Sequence, residues 1–161
     1  MADLTITIKE QIQLPNGDVE VANNKKIITG VNQFTRRTDT ISTTFSGSGV
    51  EILRFVDSEE QQIAGSFIKG DVKYIRITNL DTTNYGEVYL INTNTEATRL
   101  KIDAGDTIML SNGQAAATST SDVVVEGYVD FAYFSDLSGL DAIKVKANTA
   151  NIQLEYVVGS S

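Results

Sequence analysis

The sequence of 161 residues contains no Cys, no His and no Trp, a single Pro and only two Met. Each absence removes a class of chemistry. Without Cys or His there is no thiol nucleophile, no Ser-His-Asp triad, no imidazole proton shuttle and no Cys/His zinc site. No side chain has an ordinary pKa between pH 5 and 8. No disulfide can staple the fold, and at this length none is needed, because folding buries roughly 70% of the unfolded chain's surface. There is no apolar run of membrane-spanning length. The opening Met1-Ala2-Asp3-Leu4-Thr5 has neither a basic n-region nor an apolar h-region, so synthesis is expected in the cytosol.

What is present points to strands. Thr, Ile and Val together make up about 30% of the chain, and Gly and Asn are plentiful. β-Branched side chains lose rotamer freedom in helices but pack well on a pleated surface. Gly and Asn supply the positive-φ positions of tight turns. Net charge is −8, which disfavours nucleic acid and anionic membrane surfaces as partners. The excess is uneven: residues 1–80 carry nine bases against ten acids, whereas residues 81–161 carry four against eleven.

The alternation Leu4, Ile6, Ile8, Ile12, Leu14 against Thr5, Thr7, Lys9, Gln11, Gln13 predicts a strand over 4–14 with one face in the core. Pro15-Asn16-Gly17-Asp18 is a turn. Val19–Ala22 and Lys26–Ile28 read as two short strands separated by Asn23-Asn24. Gln33–Phe45 suits an edge strand, and Val50–Val56 another strand. Asp57–Ala64 is the one plausible helical turn. Asp71–Leu80, Glu87–Ile91, Ala97–Ile102 and Thr107–Leu110 follow as strands. Val123–Phe134 is apolar on both faces, as befits a central strand or a subunit interface. Ala142–Ala147 and Asn151–Val158 read as a closing hairpin, with Ile152, Leu154, Tyr156 and Val158 facing inward. About ten strands without a linker, repeat or low-complexity stretch predict one all-β domain over 1–161. The expected architecture is an antiparallel β-sandwich, jelly-roll-like.

The candidate chemistry is sparse. Glu59-Glu60, Asp103/Asp106 and Asp130/Asp136 are acid pairs of the kind glycoside hydrolysis uses, but turn acids are ordinarily solvated. The turns Asn79–Asn84 and Asp103–Asp106 offer oxygens suited to calcium without calcium-hand spacing. Lys25-Lys26 and Arg36-Arg37 are adjacent, so on strands they point to opposite faces and make no single basic patch. Gly47-Ser48-Gly49 lacks the Lys and the helix of a phosphate loop. Six tyrosines could line a carbohydrate surface, though strand tyrosines more often bury the ring and leave the hydroxyl at the rim. The expectation is a protein that is not an enzyme and needs no cofactor or metal. Its candidate contact residues are Leu4, Ile6 and Ile8 on the first strand and Tyr128, Val129, Phe131, Tyr133 and Phe134 in the apolar segment.

Four segments, taken together and in order, carry a family resemblance. They are the opening Ala2-Asp3-Leu4-Thr5-Ile6-Thr7-Ile8, the block from Gly70-Asp71-Val72-Lys73-Tyr74 to Asn79-Leu80-Asp81, Leu100-Lys101-Ile102-Asp103-Ala104-Gly105-Asp106, and Val145–Ala150 with Ile152–Tyr156. This order resembles small virion structural proteins of marine tailed phages, especially those infecting cyanobacteria. The resemblance implies a capsid decoration or cement protein, made in the host cytoplasm and carried on the virion, that binds the major capsid protein or other virion proteins. It also implies a homo-oligomer, with trimer, pentamer and hexamer compatible and the trimer favoured. Alternatives are a tail, neck or fibre-associated component and a module binding host-surface carbohydrate. The family supplies no catalytic motif.

Overall fold

A computed structural model describes residues 2–43, 49–92, 97–111 and 137–161. These residues are all-β, with eleven strands and two short 3₁₀ turns between β4 and β6 and a third before β10. The strands are β1 (Asp3–Gln13), β2 (Val19–Thr29), β3 (Gln33–Ile41), β4 (Val50–Val56), β5 (Ser66–Ile68), β6 (Val72–Asn79), β7 (Gly86–Asn92), β8 (Ala97–Ile102), β9 (Thr107–Ser111), β10 (Leu140–Ala147) and β11 (Ile152–Ser160).

Two sheets form a β-sandwich. One has the order β3-β11-β6-β9, the other β5-β4-β10-β7-β8, and β1 and β2 make a separate two-stranded ribbon. Every pairing is antiparallel except β4 with β5. The chain crosses between sheets repeatedly, and from β3 onward only β4–β5 and β7–β8 are successive strands of one sheet. The period-2 alternation of the strands produces this arrangement, because each buries one face against the facing sheet. Ile41, Ile75, Ile77, Leu154 and Val158 from the first sheet meet Leu53, Phe55, Val88, Leu90, Ile143 and Val145 from the second in one apolar core.

Several boundaries differ from the sequence reading. Val19 to Thr29 is one continuous strand, not two, because Asn23 and Asn24 sit in unbroken register opposite Lys9 and Ile8. The face shared by Leu4, Ile6, Ile8 and Ile12 does not enter the sandwich core. β10 and β11 are not a hairpin: the turn at 148–150 carries the chain from one sheet to the other. The inward set Ile152, Leu154, Tyr156 and Val158 is buried as expected. The helical reading of 57–64 contracts to a 3₁₀ turn at Glu59–Gln61. The apolar strand expected at Val123–Phe134 lies outside the described residues.

Two polar devices hold the sandwich. Asn79, at the end of β6, is fully buried. Its Nδ2 donates to the Asn84 carbonyl at 2.8 Å and the Asp103 carbonyl at 3.1 Å. Its Oδ1 accepts the Asp81 N–H at 3.0 Å. One amide therefore fixes both the β6–β7 and β8–β9 crossovers. On the other sheet, Lys69 is buried between Asp57 at 2.8 Å and Asp141 at 2.5 Å. Burial pulls the Lys69 ammonium pKa down, but the hydrogen bonds and charges of Asp141 and Asp57 outweigh it and hold the group above the ordinary lysine value. This clamp ties the β5 edge to β10.

Replacing Asn79 with Leu keeps the branching of the side chain but adds bulk, and strands the Asn84 and Asp103 carbonyls and the Asp81 N–H. The expected cost is about 2–4 kcal/mol, given the penalty for each unsatisfied buried group. Thermal melting should show a fall on the order of 10 °C for a chain this size; an unchanged melting temperature would contradict the assigned role.

Candidate interaction surface

The β1–β2 ribbon is a long arm. The turn at its tip follows from Pro15-Asn16-Gly17-Asp18: Gly17 adopts φ +92°, and the Asn16 side chain accepts the Asp18 N–H at 3.1 Å while its Nδ2 donates to Asp18 Oδ2 at 2.6 Å. The Leu14 N–H bonds to the Asp18 carbonyl at 2.8 Å, and register runs unbroken from there to Asp3 opposite Thr29. Eleven residues per strand at about 3.3 Å each give a reach of roughly 35 Å.

Only the base of the arm is seated. Leu4, Ile6 and Ile28, with Val31, pack on Tyr74 and Val157, which point outward from the β3-β11-β6-β9 sheet. Gly159 makes the approach possible. A Cβ there would lie 3.3 Å from Val31 and 3.7 Å from Leu4, so a larger residue would push the base away. The Lys26 ammonium donates to Ser111 Oγ at 2.6 Å and adds a polar tie to β9. Farther out, the inner face of the arm and the sheet bound a cleft of about 340 Å³, lined by Ile6, Ile8 and Lys26 on one side and Tyr74, Met109 and Ser111 on the other. Beyond the cleft both faces of the arm are open. Ile12, Val19 and Val21 there are 48–56% exposed, and Ile8 in the cleft and Ile27 on the outer face of the base are exposed as well.

Beside the seat of the arm, the sheet carries a charged cluster. Glu155 on β11 is only 8% exposed and receives Arg36 from β3 and Arg76 from β6. The Arg36 Nε–H donates to Glu155 Oε2 at 2.6 Å. The Arg36 hydrogen bond holds the Glu155 pKa below the ordinary carboxylate value; burial opposes it, and the charges of both arginines reinforce it. Phe34 on the β3 edge is 58% exposed.

Of the residues singled out from sequence, Leu4 and Ile6 find partners within their own chain, and Ile8 remains open. Tyr128, Val129, Phe131, Tyr133 and Phe134 lie outside the described residues. Val19, Val21 and Ile27 were missed as surface residues. Their odd-numbered spacing on β2 was the available signal, hidden by dividing the strand at Asn23.

The other candidates resolve plainly. The two turns considered for calcium lie side by side, but the Asn79 amide, a donor, occupies the space their carbonyls share. Asp81 spends its carboxylate on the N–H groups of Thr83 and Asn84, and those backbone hydrogen bonds lower its pKa. Among the described residues, no three acids converge as a metal cluster. Asp103 pairs with Lys101 at 2.6 Å. Tyr74 and Tyr156 bury their rings, and the Tyr156 hydroxyl reaches Asp39 at 2.5 Å, burial first and that bond second pushing its pKa up to about 12. Arg36 and Arg37 diverge as adjacent strand residues must, one to Glu155 and the other against Gly65.

The fold and this surface define an all-β sandwich bearing a β-hairpin arm. Comparisons with protein-family models, with curated proteins and with solved structures find no match.

Because the folded Glu155 carboxyl titrates below its unfolded value, its contribution is complete above about pH 4.5 and disappears as pH falls through the folded pKa. Glu155→Gln is therefore expected to destabilise the protein at pH 7 by about 1–3 kcal/mol, the worth of charge-assisted hydrogen bonds. In urea titrations, the gap from wild type should narrow as pH drops below 4.5; a pH-independent gap would refute the assignment.

Proposed function

We propose that the chain is a non-enzymatic virion structural protein, most simply a capsid decoration or cement protein that binds the outside of a phage head. The observation that carries the reading is the arm. A small sandwich extends a ribbon of roughly 35 Å whose apolar side chains its own body leaves uncovered. Two strands alone are marginal in water and gain stability by packing against something else. A body and an arm give one small protein two separated contact surfaces, which is what bridging neighbouring shell subunits requires.

The segments that resemble marine phage virion proteins fall on these parts. The opening segment is β1, the Gly70–Asp81 block is β6 and the Asn79 junction, and the last segments are the crossover from β10 to β11. The jelly-roll reading draws support from strand order: β3-β11-β6-β9 facing β4-β10-β7-β8, with β5 added at an edge. Bridging acts by mass action: a protein that binds only the assembled shell shifts assembly toward the shell. Symmetric self-association around an axis, a trimer in the simplest case, would multiply the contacts per particle.

Quantitative mass spectrometry of purified virions, normalised to the major capsid protein, tests the reading. Copy numbers in the hundreds, following the head lattice, are expected for decoration. Roughly a dozen copies would place the protein at the neck or tail instead. Its absence from virions would overturn the structural role and bring forward a carbohydrate-binding module.

A further inference from the structure

We propose that the free edge of β2 is a self-recognition strand that pairs antiparallel with β2 of a second copy, about a two-fold axis at Asn23, joining two arms into a four-stranded sheet. This inference concerns the arm alone and does not depend on the virion reading.

The backbone sets the edge. Hydrogen-bonded and non-bonded pairs alternate along an antiparallel ribbon. Counting from the bonded pair Leu14–Asp18, residues 20, 22, 24, 26 and 28 of β2 direct their amides and carbonyls to β1. Residues 19, 21, 23, 25 and 27 direct theirs outward. Among the described residues β2 pairs with β1 alone, so this outward row has no strand partner. Such an edge is a template for another strand.

The side chains select the occupant and the register. A two-fold axis perpendicular to the sheet places residues of equal parity opposite one another. With Asn23 opposite its own counterpart, Glu20 of each copy faces Lys26 of the other, twice by symmetry. On the opposite face Val19 of each copy meets Ile27 of the other, again twice, and Val21 meets the aliphatic stem of Lys25. Shifting by two residues in either direction breaks the combination. One shift puts Glu20 opposite Asn24 and, although it brings Lys26 opposite the turn residue Asp18, sets Val19 against Lys25 and Ile27 against Gly17. The other puts Glu20 opposite Ile28 and Lys26 opposite Ala22, with no opposite charges facing. One register therefore pairs opposite charges on one face and exposed apolar side chains on the other, the combination that stabilises cross-strand neighbours. The arm is also close to neutral, with three lysines against four acids over residues 3–29, so it escapes much of the repulsion that a net charge of −8 imposes on the rest of the chain.

The test measures solution mass by light scattering and sedimentation for the full chain and four variants. The wild-type particle is expected to contain an even number of 17.5 kDa chains. Glu20→Lys and Lys26→Glu each set like charges opposite one another and should halve that mass. The double variant Glu20→Lys/Lys26→Glu restores opposite charges in the same register and should restore the mass, which misfolding of the single variants could not explain. Asn23→Pro removes an outward N–H that β1 does not use and should also halve the mass. A monomeric wild type up to roughly millimolar concentration would overturn the proposal. So would a mass indifferent to the single substitutions, or a double variant that stays at half mass.

Discussion

Strand β11 must be covered on both faces, and much of the molecule is arranged around that requirement. Its even-numbered residues from Ile152 to Val158 supply the middle of the apolar core. Its odd-numbered residues Glu155, Val157 and Gly159 face away from the facing sheet, where water would ordinarily reach them. They are nonetheless buried. Val157 and Gly159 lie beneath the base of the arm, and Glu155 beneath two guanidinium groups. The position of the arm, the placement of Arg36 and Arg76 on the flanking strands, and the glycine at 159 are separate answers to one packing problem. A central strand with neighbours on both sides cannot tilt away to relieve exposure, so covering material has to come to it.

Charge is handled in a matching way on the two sheets. On one, a buried anion is met by two cations; on the other, buried Lys69 is met by two anions. Each central ion would be costly alone, because desolvation exceeds the return from a single imperfect partner. Each instead has two partners from separate parts of the chain, Arg36 on β3 and Arg76 on β6 for Glu155, and Asp57 just past β4 and Asp141 on β10 for Lys69, so each cluster also pins lateral strand order. Asn79 does the equivalent for the crossovers with a neutral group. These three polar clusters thus lie where strands meet strands or loops, and among the described residues the space between the sheets is filled largely by aliphatic side chains.

Alternation made most of the sandwich legible from sequence. Ala97–Ile102 matches to the residue, and β6, β7 and β9 match within a residue or two, because each has one face committed to the core. Alternation says nothing about which sheet a strand joins, so β10 and β11 looked like a hairpin. Whether an alternating face meets a core or only a small seat is equally hidden. Leu4, Ile6 and Ile8 have the same pattern, yet the first two are seated and the third is not, because a cleft opens between the arm and the sheet at Ile8. Asn23-Asn24 resembled a break because Asn is poor in strands; in an exposed ribbon that penalty is easily outweighed by continuous pairing with β1. The cluster at Glu155 was invisible, since its members are 40 to 119 positions apart along the chain in pairs that only the folded sheet brings together.

No residue between 7 and 25 contributes to either apolar cluster. The outer arm is therefore uncoupled from the stability of the body. Adding two residues to each of its strands would preserve which side chains face which way and carry the tip outward by roughly 7 Å. Adding one to each would reverse the faces of everything beyond the insertion. Reach can thus be retuned in steps of two residues while the sandwich keeps its sequence, so the distance between the body and whatever the tip meets is a dimension that can evolve separately from the fold.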